Sequence, residues 1–233
     1  MVVMDWEAFA ERMATMARDL LAQRSVDATL ERITESAVEI VEGCDAAGIL
    51  MLHGSRVETL APTEGLVIRS DRLQERLGEG PCFDVAARVN DERVFRIKDF
   101  GRPPEQWQGY VSQAREFGIG SMMGFLLYTE RENLGALNLY SRRPAAFGKA
   151  SETAGWLLAS HAAVAFSSAR TADQLQKALQ TRHTIGEAMG ILMERLRVSE
   201  DDAFAMMRRV SQERNVKLRD IARQICESGG LEG

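Results

Sequence analysis

Cysteine and histidine are scarce in this chain, and long hydrophobic runs are missing. The three cysteines, Cys44, Cys82 and Cys226, lie far apart and form no Cys-x-x-Cys pair. This spacing favours reduced thiols in the cytosol over disulfides or a zinc site. No stretch approaches about 18 apolar residues, and the N-terminus lacks a basic lead into an apolar run, which disfavours a membrane span and a secretion signal. We therefore predict a cytoplasmic protein without a metal site.

Recognisable catalytic motifs are missing as well. Gly78-Glu79-Gly80 is too short for a dinucleotide-binding loop, because a third glycine and a clear preceding strand are lacking. His53 and His161 could ligate a haem or a metal, yet neither has a second ligand at a typical spacing, so solvated or packed histidines are the simpler interpretation. No Ser/His/Asp, Cys/His or paired-carboxylate arrangement stands out. The sequence therefore predicts a protein that is not an enzyme and leaves its cofactors unknown.

Residues 1–170 show the patterns of a domain that mixes helices and strands. Apolar side chains recur at helical spacing from Trp6 to Leu20 and from Val26 to Ile40, which predicts two amphipathic helices. About five strands follow, at residues 44–52, 56–61 and 94–97 and in a hairpin of 122–129 and 134–140. Further helices are predicted near residues 71–77, 81–89 and 107–117. Cys82, at the start of one of them, is either a thiolate favoured by the helix end or a buried small side chain.

Proline is absent between Lys149 and Leu196. This absence predicts one long helix, or two nearly continuous helices, that join two domains at residues 1–170 and 171–233. A partly apolar face on it, which could pair with a second copy or pack on its own sheet, consists of Leu157, Leu158, His161, Val164, Ala165 and Ser168. An apolar seam at three- and four-residue steps continues through Leu175, Ala178, Ile185, Met189, Leu192 and Leu196. We predict a homodimer from these faces.

Residues 171–233 show three short helical patterns that predict a three-helix bundle. Gly186 and Gly190 interrupt the first, which suggests close approach of another helix. Ser199 and Asp202 form an approximate capping box at the start of the second. The apolar stripes of the second and third helices are Ala203, Phe204, Met207 and Val210, and Leu218, Ile221, Ala222 and Ile225. Asn215 is expected in the turn between these two helices.

The charges of this segment are balanced overall but unevenly distributed. Residues 171–233 contain ten basic and ten acidic residues, and the whole chain carries a net charge of -5. The acids collect at Glu200-Asp201-Asp202, whereas bases cluster from Arg208 to Arg223, so a local basic face remains. From charge alone, an ordinary solvated helix face is the alternative to a nucleic-acid surface.

The C-terminal segment carries a characteristic set of residues with fixed spacing: Arg182, Ile185, Ala188, Gly190-Ile191-Leu192-Met193, Arg195, Ser199, Ala203-Phe204, Arg208, Ser211, Asn215, Lys217-Leu218 and Ala222. With these residues, the segment resembles the ANTAR domain, an RNA-binding module of transcription antitermination regulators. The resemblance implies binding to a pair of small hairpins in a nascent transcript, which would prevent a terminator from forming. One departure is Met189, where many family members carry Lys.

The N-terminal segment contains three recognisable motifs, Gly43-Cys44-Asp45-Ala46-Ala47-Gly48, Leu77-Gly78-Glu79-Gly80-Pro81-Cys82 and Leu134-Gly135-Ala136-Leu137-Asn138-Leu139-Tyr140. With these motifs, the segment resembles GAF domains, most closely those joined to ANTAR modules in actinobacterial regulators. The resemblance implies an α+β fold, with a mixed antiparallel sheet flanked by helices, and a sensing or dimerising role with a possible small-molecule ligand. The ligand, the RNA targets and the direction of regulation stay unknown.

The predicted RNA-binding residues are Arg182, Arg208, Ser211, Asn215, Lys217 and Arg219. Arginines suit phosphates or base edges, Ser and Asn suit hydrogen bonds, and Lys217 suits the backbone charge. Arg182 interrupts the apolar seam and is equally suited to a structural role. The alternative function is a ligand-sensing or dimeric protein-interaction scaffold that does not bind RNA.

Overall fold

The computed structural model describes residues 6–54, 56–81, 84, 93–130 and 132–230, and the chain divides into two compact units, Met1–Arg170 and Thr171–Gly233. The helices are α1 (Trp6–Leu21), α2 (Val26–Ile40), α3 (Gly65–Leu77), α4 (Gln108–Ala114), α5 (Lys149–Leu196), α6 (Glu200–Arg214) and α7 (Leu218–Ser228). The strands are β1 (Ala46–His53), β2 (Arg56–Leu60), β3 (Val94–Ile97), β4 (Ser121–Tyr128) and β5 (Asn133–Ser141). Within the described ranges, no helix is long and apolar enough to cross a membrane.

The first unit is built on a five-stranded sheet in the order β2-β1-β5-β4-β3. All neighbouring strands in this order run antiparallel. The β4–β5 hairpin occupies the centre, and Ser121 pairs with Ser141 at its open end. Together with the long helix α5 and the C-terminal helices, this sheet confirms the predicted α+β fold class.

Each face of the sheet is covered by a separate hydrophobic core, because side chains alternate between the two faces of a strand. In β4, Met123 and Phe125 face a core formed with α1, α2 and the first part of α5, whereas Met122 faces α3 and α4. The second core contains the buried aromatic rings of Phe95, Phe100, Trp107, Tyr110 and Tyr140. Helices therefore flank the sheet on both faces, as predicted.

Two predicted helices have different limits in the structure. Helix α3 begins at Gly65, six residues before the predicted Asp71, and its first turn buries Leu66 and Val67 against the sheet. The predicted helix at 107–117 is α-helical over Gln108–Ala114, with single 3-10 turns on either side. Tertiary burial therefore extends α3 beyond its sequence pattern. The predicted helix at 81–89 and Cys82 lie largely outside the described residues.

The first part of α5 packs mainly on its own sheet. Leu158 and Ala165 are 0% and 3% exposed in the core of the first unit, and Leu157 packs against that core. Val164, by contrast, is 59% exposed. The sequence left open whether this face pairs with a second copy or packs on its own sheet. The structure shows that its most apolar side chains pack on the sheet.

The second unit is a small bundle whose core joins α5, α6 and α7. Ala188 and Leu192 from α5 meet Ala203 and Met207 from α6, and α7 adds Ile221, Ala222 and Ile225. The three-helix bundle is thus present. One expectation within it was wrong. Phe204, predicted in the core, is 38% exposed. A Cβ atom built at Gly186 or Gly190 would meet no heavy atom of the described chain within 4 Å, so no helix of this unit approaches them.

Candidate nucleic-acid interface

The turn between α6 and α7 gathers three of the predicted RNA-binding residues. Asn215 ends α6 in the left-handed conformation, with φ of 52°, which asparagine tolerates better than most residues. Its backbone N–H donates to carbonyls in the last turn of α6. Lys217 follows as the N-cap of α7, with its side chain exposed. The backbone of Asn215 is therefore fixed by hydrogen bonds, while its side-chain amide is exposed to solvent.

Ser211 holds this turn closed from inside. Its hydroxyl donates to the Val216 carbonyl at 2.6 Å, and the Val216 N–H donates to the Ser211 carbonyl at 3.1 Å. The single hydroxyl proton is thus committed to the backbone, and only the oxygen lone pairs stay available to a ligand. The structure therefore gives Ser211 a clear role in shaping the turn.

The opposite end of α6 begins with the predicted cap. Ser199 Oγ accepts a hydrogen bond from the Asp202 N–H at 3.2 Å. The Asp202 carboxylate accepts one from the Ser199 hydroxyl at 2.7 Å, instead of reaching the backbone N–H as in a full capping box. Glu200, Asp201 and Asp202 occupy the first turn, where negative charge suits the positive end of the helix. These acids are about 9 to 12 Å along the axis from Arg208, at 1.5 Å per residue.

Three of the predicted cations are unpaired among the residues that the structure describes. Arg182, Arg208 and Lys217 are exposed and form no ion pair or side-chain hydrogen bond with those residues. Arg219 lies 3.7 Å from Asp220, which also lies 3.5 Å from Arg223. An unpaired exposed cation keeps its full capacity for a phosphate, whereas Arg219 shares a carboxylate with a neighbour. Among the predicted cations, the free positive charge is therefore on Arg182, Arg208 and Lys217.

The predicted residues divide into one cluster and one outlier along the chain. Arg208 and Ser211 are three residues apart, which places them on one side of α6, and Ser211 contacts the turn that carries Asn215 and Lys217. Arg182 lies on α5, which belongs to another wall of the bundle. Met189, on the same helix, packs against the bundle core, so a side chain there is directed inward.

Sequence patterning missed one surface residue of this cluster. Phe204 precedes Arg208 by four residues, so the two side chains are neighbours along one row of α6. The apolar stripe assigned Phe204 to the core, but of the stripe residues on α6 it is Ala203 and Met207 that are fully buried. The signal that could have identified it is the charge at Arg208 one turn later on the same face.

The first unit contains a buried polar network beneath α3. Asp71 accepts hydrogen bonds from Thr59 Oγ1 at 2.9 Å and from the Tyr140 hydroxyl at 3.3 Å. Ser70 links the hydroxyls of Tyr140 and Tyr110, at 3.2 Å and 2.7 Å. Burial raises the pKa of Asp71 from 3.8 to about 7, although these two hydrogen bonds to the carboxylate oppose the shift. The network joins the edge strand β2 to the central strand β5 through α3.

Histidines and cysteines form no reactive cluster in the part of the chain that the structure describes. His53 Nε2 lies 2.7 Å from Glu58, and His183 Nε2 lies 3.3 Å from Glu187. Burial raises the pKa of the Cys44 thiol to about 12, and the thiol donates to the Ala46 carbonyl, so it is unreactive. No group of three His, Cys, Asp or Glu side chains that could hold a metal ion occurs among those residues.

Comparison with known families agrees with this architecture. Residues 23–167 match the family model of the GAF domain, and residues 173–225 match that of the ANTAR domain. Fold and matches together define a protein in which a GAF domain precedes an ANTAR domain. The chain belongs to the GAF domain family and carries an ANTAR domain at its C-terminal side. Both resemblances read from the sequence are thereby confirmed.

Individual relatives are more distant. The anaerobic nitric oxide reductase transcription regulator NorR of Aeromonas salmonicida is 25% identical over 169 residues, covering 72% of this chain and 32% of that protein. The chain thus spans about a third of the length of this curated relative. The GAF domain of a phosphoenolpyruvate-protein phosphotransferase from Coxiella burnetii superposes with a TM-score of 0.56 at 18% identity, covering 73% of this chain and 99% of that one. The phytochrome photosensory core module of Stigmatella aurantiaca reaches 0.60 at 12% identity, covering 87% and 44%. These two structures support the fold alone.

Proposed function

We propose that this protein is a cytoplasmic, non-enzymatic transcription antitermination regulator that binds paired hairpins in nascent mRNA through its ANTAR domain. The GAF domain would control that binding in response to a small-molecule ligand. The observation that carries the proposal is the ANTAR match over residues 173–225, combined with Arg208 on α6 and Lys217 at the start of α7, two exposed cations that have no partner among the described residues.

The chemistry of the turn suits single-stranded loop bases better than a duplex. The grooves of A-form RNA are poorly accessible to side chains, whereas unstacked loop bases expose hydrogen-bonding edges. Asn215 offers both a donor and an acceptor from a fixed backbone position, and Arg208 and Lys217 would hold the flanking phosphates. Arg219 would contribute less charge, because it shares Asp220 with Arg223. Arg182 would contact RNA only if the loop also reaches α5.

The RNA prediction concerns Arg208 and Lys217, the two cations near the α6–α7 turn that are unpaired in the described part of the chain. Replacing Arg208 or Lys217 with Ala should weaken binding to a two-hairpin RNA by on the order of 1 to 3 kcal/mol each. The reason is the loss of a phosphate contact. For the same reason, the decrease of log affinity with log salt concentration should become less steep, by about 1. Fluorescence anisotropy over a range of salt concentrations, with RNA selected from a pool of hairpins with randomised loops, measures both quantities.

Arg209 provides a matched control for this experiment. It lies on the same helix but pairs with Glu213 at 3.8 Å, so Arg209→Ala removes the same charge from a different row. Its effect on affinity should be smaller than that of Arg208→Ala, while circular dichroism should show equal helicity for all variants. Parental binding that is absent, or that does not weaken as salt rises, would contradict the proposed function.

A second candidate function, a dimeric interaction scaffold, is favoured by an exposed apolar row on α5. Leu175 and Leu179 are 61% and 60% exposed, and Met193 on the same face is 37% exposed. Gly186 and Gly190 lie between them with open space around them, which leaves room for a second helix to approach. Because the spacing has the three- and four-residue steps of a coiled coil, we propose that a second copy of α5 covers this row. Homodimerisation is compatible with RNA binding as well as with the scaffold.

The dimer prediction rests on the two exposed leucines. Changing Leu175 and Leu179 together to Asp should convert a dimer into a monomer of about 26 kDa, because four buried carboxylates would face each other across the pair. Light scattering at tens of micromolar measures the mass. Gln180→Asp on the opposite side of α5 is the matched control and should leave the dimer intact. A parent protein that is already monomeric at this concentration would refute the dimer.

A further inference from the structure

The one aromatic ring of the ANTAR domain lies on its surface. Phe204 is the only phenylalanine, tyrosine or tryptophan among residues 171–233. Its side chain is 38% exposed, and the core beside it is built from aliphatic side chains and methionine. Burying a phenylalanine side chain stabilises a protein by about 1.5–3 kcal/mol, and this position forgoes part of that gain. The ring is therefore poorly explained by the folding of the bundle.

The surroundings of the ring indicate the chemistry of an occupant. Arg208 follows Phe204 by one helical turn on the same row, exposed and without a partner among the described residues. Asp201 precedes Phe204 by three residues, so the row is acidic at one end and basic at the other. An occupant with a flat apolar part over Phe204 and an anionic part over Arg208 matches this row. An unstacked nucleotide has both parts, the base and the phosphate.

We infer that Phe204 is a stacking platform for one unpaired base of the RNA loop, with Arg208 holding the phosphate beside it. This inference rests on the proposed function and adds a specific contact to it. Stacking of RNA bases on aromatic side chains is a common mode of loop recognition, and it tolerates different bases because each has a flat face. Asp201 repels phosphate, so the RNA backbone runs from Phe204 toward Arg208 and the α6–α7 turn, away from the start of α6.

The test compares two substitutions that differ in the ring alone. Phe204→Leu keeps an apolar side chain but removes the flat face, and it should weaken binding of the full chain to the selected hairpin RNA by roughly 10-fold or more. Phe204→Trp keeps a flat face and should bind within about 3-fold of the parent. Gln224→Ala, which alters an exposed side chain on α7, is the control and should bind as the parent does. Light scattering and thermal melting should be equal for all four proteins.

A second readout separates stacking from an indirect effect on folding. Loop nucleotides of the same RNA are replaced one at a time by abasic sites. At one position the parent should lose affinity while Phe204→Leu should lose none, because the missing ring and the missing base remove the same contact. If Phe204→Leu and the parent bind the RNA equally well, the stacking inference is overturned while the proposed function stands. The same holds if Phe204→Leu binds more weakly but every abasic replacement lowers its affinity as much as it lowers that of the parent. A change of mass in Phe204→Leu would assign the ring to a contact between protein copies, which also overturns it. Failure of the parent to bind any hairpin would overturn the proposed function and this inference together.

Discussion

We expect Asp71 to make the N-terminal unit less stable as the pH rises from about 4 to 7. Its contribution should lower the free energy of unfolding by about 1.4 kcal/mol per pH unit. Burial raises the pKa of Asp71 from 3.8 to about 7 in the folded protein. Between these two values the folded state holds a proton that the unfolded state has released, so raising the pH favours unfolding. Below the window both states are protonated, and above it both are ionised, so the slope vanishes on either side.

Asp71→Asn isolates this contribution, because the amide occupies the same site without titrating. The free energy of unfolding of this variant relative to the parent should rise by roughly 4 kcal/mol between pH 4 and pH 8. Denaturant unfolding followed by tryptophan fluorescence reports on this unit, since Trp6, Trp107 and Trp156 all belong to it. Glu116→Gln, an exposed carboxylate elsewhere in the unit, should show no such difference. A pH-independent difference for Asp71→Asn would show that Asp71 is ionised throughout.

Gly124→Ala should destabilise the same unit by about 3 kcal/mol, the upper end of the usual cost of overpacking. Gly124 in β4 pairs with Phe95 in β3, and the buried ring of Phe95 lies across the glycine. A Cβ atom at Gly124 would come within 1.8 Å of the ring atom Cζ, so the ring must leave its place in the core. Denaturant unfolding at constant pH measures the loss.

Two companion variants test the cause of this loss. Phe95→Leu combined with Gly124→Ala should recover part of it, because a smaller side chain leaves room for the new methyl group. Gly65→Ala, at the start of α3, meets no atom within 4 Å and should be neutral or stabilising by up to about 1 kcal/mol. Equal stability of Gly124→Ala and the parent would mean that β3 adjusts without cost.

The elements with strong periodic patterns could be predicted from the sequence. Helices α1 and α2 and the strands were expected close to their observed limits, because their apolar residues follow a regular spacing. The absence of proline over Lys149–Leu196 predicted either one long helix or two nearly continuous helices, and the structure has the single helix α5. The sequence predicted α3 to begin later than it does. Its first turn, Gly65 to Ile68, contains only two buried residues, and the side chain of the N-cap residue Glu64 makes no capping hydrogen bond. The start of a helix without a capping side chain has little local signal.

The candidate interface was predictable only in part. The sequence placed Asn215 in the turn after α6, and the left-handed backbone there agrees with this expectation. It could not show that the Ser211 hydroxyl is used by the Val216 carbonyl, because that hydrogen bond depends on the course of the turn. The sequence does show that Arg208 has no acidic residue three or four positions away, whereas Arg209 has Glu213 four positions on. Only the structure shows that no other described residue pairs with Arg208 and that Arg219 contacts Asp220.

By itself, the sequence determined the identity and order of the main elements and the two domain families, because these depend on local spacing and on residues within one segment. Tertiary structure alone decided which apolar residues are covered and which titratable groups lose water. Phe204 and Met207 belong to the same helical stripe, yet Met207 is buried and Phe204 exposed, because only the neighbouring helices α5 and α7 determine how wide a stripe they cover. The sequence of α3 gives no sign that Asp71 is buried, and burial raises its pKa to about 7 although the hydrogen bonds from Thr59 and Tyr140 lower it. Periodicity defines the direction of a side chain, whereas desolvation depends on what lies in that direction.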